Sequence, residues 1–295
     1  MLFMRKAVID MGTNSTRLAV AEIIDGVFQM IYTEVAETRL GEGMGEERII
    51  RPIPLKRNID AVQLFVQKAQ ELKAESIRIT ATSAVRDAQN KSEVQHAISQ
   101  CTNLPLEILQ GEEEARLSYL GASGDFQHLK CPLAVLDIGG GSTELVYPAD
   151  THLHGVSVNL GAVRLLEHPE LHHTIEDTLT ALKGDMFPQN CVLIAVGGTN
   201  TCLMAMELGL TQYDGNRIHG QVISKERVDY WCETLFNMIQ EEREQIPGMK
   251  RKRADIMPYG VMILQKTMEL LQVPEVTISD KGLVYGLLLE AFVQA

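Results

Sequence analysis

Val135-Leu136-Asp137-Ile138-Gly139-Gly140-Gly141-Ser142-Thr143-Glu144-Leu145 matches, without a gap, Val8-Ile9-Asp10-Met11-Gly12-Thr13-Asn14-Ser15-Thr16-Arg17-Leu18. Each copy runs apolar pair, Asp, apolar residue, Gly, two loop residues, Ser-Thr, a charged residue and Leu. Each reads as a buried strand, a turn of small residues and a returning strand. Two such units in 295 residues predict two like-folded halves whose turns line one cleft.

The chemistry of the repeat suits phosphate. Gly12, Thr13, Asn14 and Ser15, and likewise Gly139, Gly140, Gly141, Ser142 and Thr143, offer backbone N–H groups and hydroxyls at close range. Asp10 and Asp137, each at a strand end, suit a hard divalent cation completed by water and phosphate oxygens. A third junction follows the apolar run 192–196, where Gly197-Gly198-Thr199 opens a helix whose unpaired N–H groups attract anions.

Composition narrows the class. With 45% hydrophobic and 22% charged residues the chain is globular. No apolar run approaches the roughly 20 residues that cross a bilayer. The N-terminus runs directly into the first strand, so no secretory leader is expected. Five scattered cysteines without Cys-x-x-Cys spacing predict reduced thiols in a cytoplasmic setting, with neither a zinc site nor a disulfide frame. A formal charge of −12 argues against nucleic acid as a partner.

Around the repeats the periodicity predicts a hairpin over 18–24 and 27–35, a glycine-rich loop over 39–45 and a helix over 55–74. It continues with a strand over 77–82 and a helix from 83 to beyond 92. A strand over 106–109 leads into a helix at 111. The turn-rich stretch 121–131 is the expected crossing between an N-terminal lobe, 1–124, and a C-terminal lobe, 125–295. The C-terminal helix, 282–293, is a candidate to rejoin the first lobe. The second half then predicts strands over 155–160, 192–196 and 276–279, with helices between 161 and 183, near 224–242 and near 255–272.

A P-loop is absent, and the glycines at 139–141 return to a strand rather than opening a helix, so a dinucleotide fingerprint fails as well. What is left is the phosphate cleft of the actin, hexokinase and Hsp70 superfamily: an α/β fold of two ribonuclease H-like lobes. The two repeats, Thr82-Ser83-Ala84-Val85-Arg86, Gly111-Glu112-Glu113-Glu114-Ala115-Arg116 and Gly197-Gly198-Thr199, in this order, resemble the exopolyphosphatase/guanosine pentaphosphatase (Ppx/GppA) family. Arg217-Ile218-His219-Gly220 and Ser279-Asp280-Lys281-Gly282-Leu283 extend the resemblance almost to the C-terminus, in the family's short two-domain form.

That resemblance implies hydrolysis of a terminal phosphoanhydride with Mg²⁺ or Mn²⁺, on inorganic polyphosphate or guanosine pentaphosphate. It maps the catalytic carboxylate to Glu114, with Glu113 in reserve; the residues alone do not choose among Glu112, Glu113 and Glu114. Asp10 and Asp137 would hold the metal, joined by Glu144, which also faces the attacking water. Arg17, Ser83 and Arg86 would contact phosphate beside the glycine loops. A superfamily kinase and a non-catalytic sensor are the other readings, and a homodimer is compatible with the family. The basic run Lys250-Arg251-Lys252-Arg253 reads either as a guide for a long polyanion or as a solvated surface.

Overall fold

The computed structural model describes residues 4–293. The first repeat forms β1 (Met4–Met11) and β2 (Thr16–Ile24), followed by β3 (Val27–Ala36), α1 (Pro52–Glu71), β4 (Ser76–Ala81), α2 (Ser83–Asp87), α3 (Lys91–Thr102), β5 (Leu106–Ile108) and α4 (Gly111–Ser123). The second forms β6 (Leu133–Ile138) and β7 (Thr143–Ala149), then β8 (His152–Val158), α5 (Ala162–Glu167), α6 (Ile175–Thr180), β9 (Val192–Val196) and α7 (Gly198–Glu207). The chain closes with α8 (Gly215–Ile218), β10 (Val222–Ser224), α9 (Lys225–Asn237), α10 (Gln240–Arg243), α11 (Met257–Leu271), β11 (Glu275–Ile278) and α12 (Leu283–Val293).

The duplication read in the sequence extends to topology. One sheet has the order β3-β2-β1-β4-β5 and the other β10-β11-β9-β6-β7-β8. In both, the repeat hairpin is antiparallel and its first strand pairs in parallel with the next crossover strand. β1 and β6 are central strands buried on both faces, which explains their unbroken apolar runs.

Each sheet buries one face against its own helices. Ile9, Met11, Val62, Phe65 and Ile79 anchor the first core; Leu136, Ile138, Leu193, Leu203 and Leu264 anchor the second. A third cluster joins Val8, Ala19 and Leu117 to Leu283, Leu287 and Leu288, so the final helix covers the other face of the first sheet.

Several local expectations change. The helix from 83 breaks at Ala88, which is extended (φ −69°, ψ 137°). Asn90 then exchanges two hydrogen bonds with Ile50, pinning the break. Gly121 is no turn residue. It lies inside α4, where a Cβ would come within 2.7 Å of the Gly286 amide nitrogen, so α4 and α12 touch backbone to backbone. The chain then leaves as a 3₁₀ helix, Gly124–Leu129. The helix near 224–242 divides at Met238, also extended (φ −95°, ψ 147°). β8 starts at His152, before the expected 155, and the short β10 and α8 lacked a sequence signal.

Candidate active site

The two repeat turns close in the same way. Gly12 N–H donates to Ser15 O at 3.0 Å, and Gly139 N–H donates to Ser142 O at 2.9 Å. The intervening amides of Thr13, Asn14 and Ser15, and of Gly140, Gly141 and Ser142, meet no acceptor among the described residues, a cradle suited to anionic oxygens. The strand register then sorts the charges. Asp10 pairs across the hairpin with Arg17, whereas Asp137 pairs at the matching place with Glu144.

An open cleft between the sheets, about 830 Å³ with its solvent, is lined by Asp10, Gly12, Thr13, Asn14, Ser15, Arg17, Ser83, Glu114, Asp137, Gly139, Gly140, Gly141, Ser142, Gly197, Gly198 and Thr199. Gly197 is required there for two reasons: its φ is +95°, and a Cβ would approach Asp137 Oδ1 to 2.7 Å. Asn14 lines the cleft with both polar side-chain atoms buried and unpartnered. Such atoms are costly unless a ligand completes them.

Three of the sequence candidates stand outside the lining. Thr143 donates its hydroxyl to Leu160 O at 2.6 Å within the fold. Glu144, 1% exposed, lies beside Asp137 on the neighbouring strand; one oxygen accepts from Ser157 Oγ at 2.7 Å, and the other is buried without a partner among the described residues. Arg86 is committed to protein. Its Nη1 donates to Glu114 Oε2 at 2.7 Å and to Leu109 O at 3.1 Å.

Glu114 stands in the first turn of α4, where the helix dipole favours a carboxylate. It is buried and reaches the cleft, whereas Glu112 is exposed and Glu113 half-buried, neither of them on the lining. Burial pushes its carboxyl well above the usual range, with Glu144 adding to the shift and Arg86 opposing it. Asp10 is raised to about 6 by burial, against the pull of Arg17 and Thr80. Asp137 and Glu144 are raised as well, both mainly by burial.

Three buried carboxylates, Asp10, Glu114 and Glu144, one with an orphaned oxygen, stand with half-buried Asp137 near one cleft and match the donors a hard dication prefers. Among the described residues, no three His, Cys, Asp or Glu side chains form a ready cage. A bound ion would therefore draw part of its shell from water and phosphate.

The site also contains residues that the sequence reading did not place in the cleft. Arg253 belongs to the basic run but is 5% exposed: it crosses to the first lobe, where Nη2 donates to Ser15 Oγ at 2.7 Å and Nε lies 3.4 Å from Glu37. Lys250 lies 4.3 Å from the Tyr213 ring centre, while Arg251 and Lys252 are exposed. Thr82, Thr201, Ile256 and Asp280 complete the cleft wall. Thr82 and Asp280 lie in motifs of the resemblance, which implies no role for them, whereas Thr201 and Ile256 are brought in by chain folding rather than spacing. His219, by contrast, is a structural residue, held by Asp125 at 3.0 Å and Ser279 at 3.3 Å. The loop at 39–45 is tied down, with Gly41 N–H donating to Thr13 O and Gly43 N–H to Glu167 Oε1.

Two β-turn-β lobes of the actin-like fold, meeting at a cleft rich in carboxylates and unpaired amides, define a phosphate-handling enzyme. A family model described as the Ppx/GppA phosphatase family matches residues 19–294, and the chain belongs to that family. Exopolyphosphatase 2 of Mycobacterium tuberculosis is 28% identical over 98% of this chain and 99% of its own length. The guanosine-5'-triphosphate,3'-diphosphate pyrophosphatase of Pseudoalteromonas atlantica is 29% identical over 96% of this chain, which spans 58% of that protein. The crystal structure of the Aquifex aeolicus Ppx/GppA family member superposes with a TM-score of 0.81 at 27% identity, covering 99% of both chains. The chain is thus similar to phosphoanhydride hydrolases over essentially its whole length.

Proposed function

We propose that this protein is an exopolyphosphatase that removes the terminal phosphoryl group of inorganic polyphosphate as orthophosphate. The observation that carries the reading is Glu114, a buried carboxylate that opens onto a cleft also bordered by Asp10, Asp137 and three glycine-rich turns.

In this mechanism the amides of Thr13–Ser15 and Gly140–Ser142, with Arg17 and Arg253, hold the oxygens of the terminal phosphoryl group. Ser83, Thr199 and the amides at Gly197 and Gly198 add donors from the other turns. Glu114 orients a water for in-line attack and takes its proton; the P–O bond to the bridging oxygen breaks, and the shortened chain leaves as an oxyanion. Asp10 and Asp137 would hold Mg²⁺ or Mn²⁺, with Glu144 beside Asp137; the ion would neutralise charge building on the phosphoryl oxygens. Exposed Arg251 and Lys252 would draw a long chain toward the cleft. The five free thiols fit a reducing, cytoplasmic setting.

Hydrolysis of guanosine pentaphosphate at its 5′ end is the second reading, and one feature favours it. A wider space beside the cleft, about 1040 Å³ with its solvent, is bordered by Arg17, Lys250 and Arg253 and also by Tyr213 and Tyr285. Aromatic faces suit a nucleoside and serve a bare polyphosphate little. Phosphate release from long-chain polyphosphate, guanosine pentaphosphate and ATP, measured side by side with Glu114→Ala as control, tests both readings. Release confined to polyphosphate supports the first, and release from the nucleotide alone overturns it in favour of the second. Undiminished release by the Glu114 variant rejects the proposed base.

A further inference from the structure

Arg164 is absent from the cleft lining, yet its guanidinium ties together both halves of the machinery. It sits in α5, and its Nε donates to Gly141 O at 2.8 Å. Its Nη2 donates to Asp87 Oδ2 at 2.6 Å and approaches Ser83 Oγ at 3.5 Å, both on α2 of the other lobe. The pair is largely shielded, with side-chain exposures of 20% for Arg164 and 14% for Asp87. An ion pair screened this far from water, and forked onto a carbonyl, is geometrically defined in a way a surface pair is not.

The two ends it joins matter. At one end, α5 takes up the three glycine carbonyls of the turn: Ala162 N–H donates to Gly139 O at 3.1 Å, Val163 and Arg164 N–H to Gly140 O at 2.8 and 3.0 Å, and the Arg164 side chain to Gly141 O. The turn is thereby held with its amides unspent. Gly161 lets α5 come this close, since a Cβ there would reach 2.5 Å from Gly141 N. At the other end, α2 is a single short helix of five residues. Asp87 and Ser83 bind Arg164, while their neighbour Arg86 grips Glu114 at 2.7 Å. Displacing α2 would therefore carry Arg86, and with it Glu114, relative to the glycine turn.

We propose that Arg164 is a positioning residue for hydrolysis, fixing through Asp87 and α2 the distance between the Gly139–Ser142 turn of one lobe and the Arg86–Glu114 pair of the other. The inference deepens the hydrolase reading and rests on it. Reaction rates respond to such placement, because an ångström of misalignment between water and phosphorus costs on the order of 100-fold.

The test compares Arg164→Met, Arg164→Lys, Asp87→Asn and the Arg164→Met/Asp87→Asn double variant with the wild type, by thermal melting, by kcat and KM on long-chain polyphosphate and guanosine pentaphosphate, and by amide hydrogen exchange. The expected result is a fall in kcat of about 30–100-fold for Arg164→Met and for Asp87→Asn with KM held within about threefold. The double variant should be no worse than either single one, and Lys should restore part of the rate. Exchange should rise together at the bonded amides of Val85 and Arg86 in α2 and at those of Gly139 and residues 162–164 that hold the glycine turn, a readout that needs no turnover. Wild-type kcat in Asp87→Asn, a double variant as slow as the product of the singles, or exchange rising in only one segment overturns the proposal. A wild-type protein that releases phosphate from neither substrate instead overturns the functional reading, and the exchange experiment still decides whether Arg164 couples the two segments.

Discussion

Arg86 Nη1 lies 2.7 Å from Glu114 Oε2, both side chains being nearly buried, at 13% and 9% exposure. Burial favours the protonated form of Glu114 and Arg86 favours the carboxylate. A base that must accept a proton from water depends on this opposition.

Replacing Arg86 with Met removes the influence that lowers the Glu114 pKa. The acidic limb of the pH profile of kcat/KM should then move to higher pH, and activity at pH 7 should fall further than activity at pH 9. Glu114→Gln should instead lower kcat by about 1000-fold at every pH, the usual loss when general-base help is deleted. Initial rates across pH 5 to 9 separate the two outcomes.

Metal-free protein should lose stability as pH rises. The Asp10 carboxyl is raised to about 6 from 3.8, so the folded state binds its proton more tightly than the unfolded chain. That contribution is complete below pH 3.8 and disappears as pH passes 6. Melting curves in chelator should show Tm falling across this window. Asp10→Asn should flatten the fall, and Mg²⁺ should oppose it by binding the ionised carboxylates.

Asn14 presents the complementary case. Its amide is buried with neither end bonded, so Asn14→Leu removes an unsatisfied polar group at little loss of volume. Tm of the ligand-free protein should hold or rise, while KM for substrate should rise about tenfold with the loss of one hydrogen bond to a charged oxygen. A lower Tm with unchanged KM would assign Asn14 to the scaffold alone.

Gly121→Ala forces a methyl group against the Gly286 amide at the crossing of α4 and α12. Overpacking against backbone cannot relax by a rotamer change, so the variant should lose about 3 kcal/mol in urea unfolding. The same substitution at Gly26, where no atom lies within 4 Å of a Cβ but φ is +79°, tests strain alone and should cost less.

The sheets and their facing turns were legible because a gapless repeat of strand, Asp, glycine turn and strand leaves few topologies open. The position of Glu114 was legible only through family resemblance; burial distinguishes it from Glu112 and Glu113, and burial has no local signature in a run of three glutamates. Arg253 was hidden for the opposite reason. In sequence it is one of four adjacent cations, and only the 3₁₀ turn over Arg251–Arg253 separates an inward guanidinium from two outward neighbours. Gly121 was misread because glycine marks turns and close helix crossings alike. The break at Ala88 depends on Asn90 finding Ile50, 40 residues away in the chain. Arg164 gave no signal, since its partners lie 23 and 77 residues distant.

The strand register leaves the two walls electrically unequal. Opposite Asp10 stands the Arg17 guanidinium, whereas opposite Asp137 stands a second carboxyl, Glu144, buried beside it. Under the hydrolase reading, a dication would be drawn toward β6–β7, and the oxyanions it accompanies would lean toward β1–β2. The two repeats supply like frames, and the one charge reversal between them would give the gap a polarity: a phosphate tail would settle there in a single orientation, its scissile end turned toward one wall.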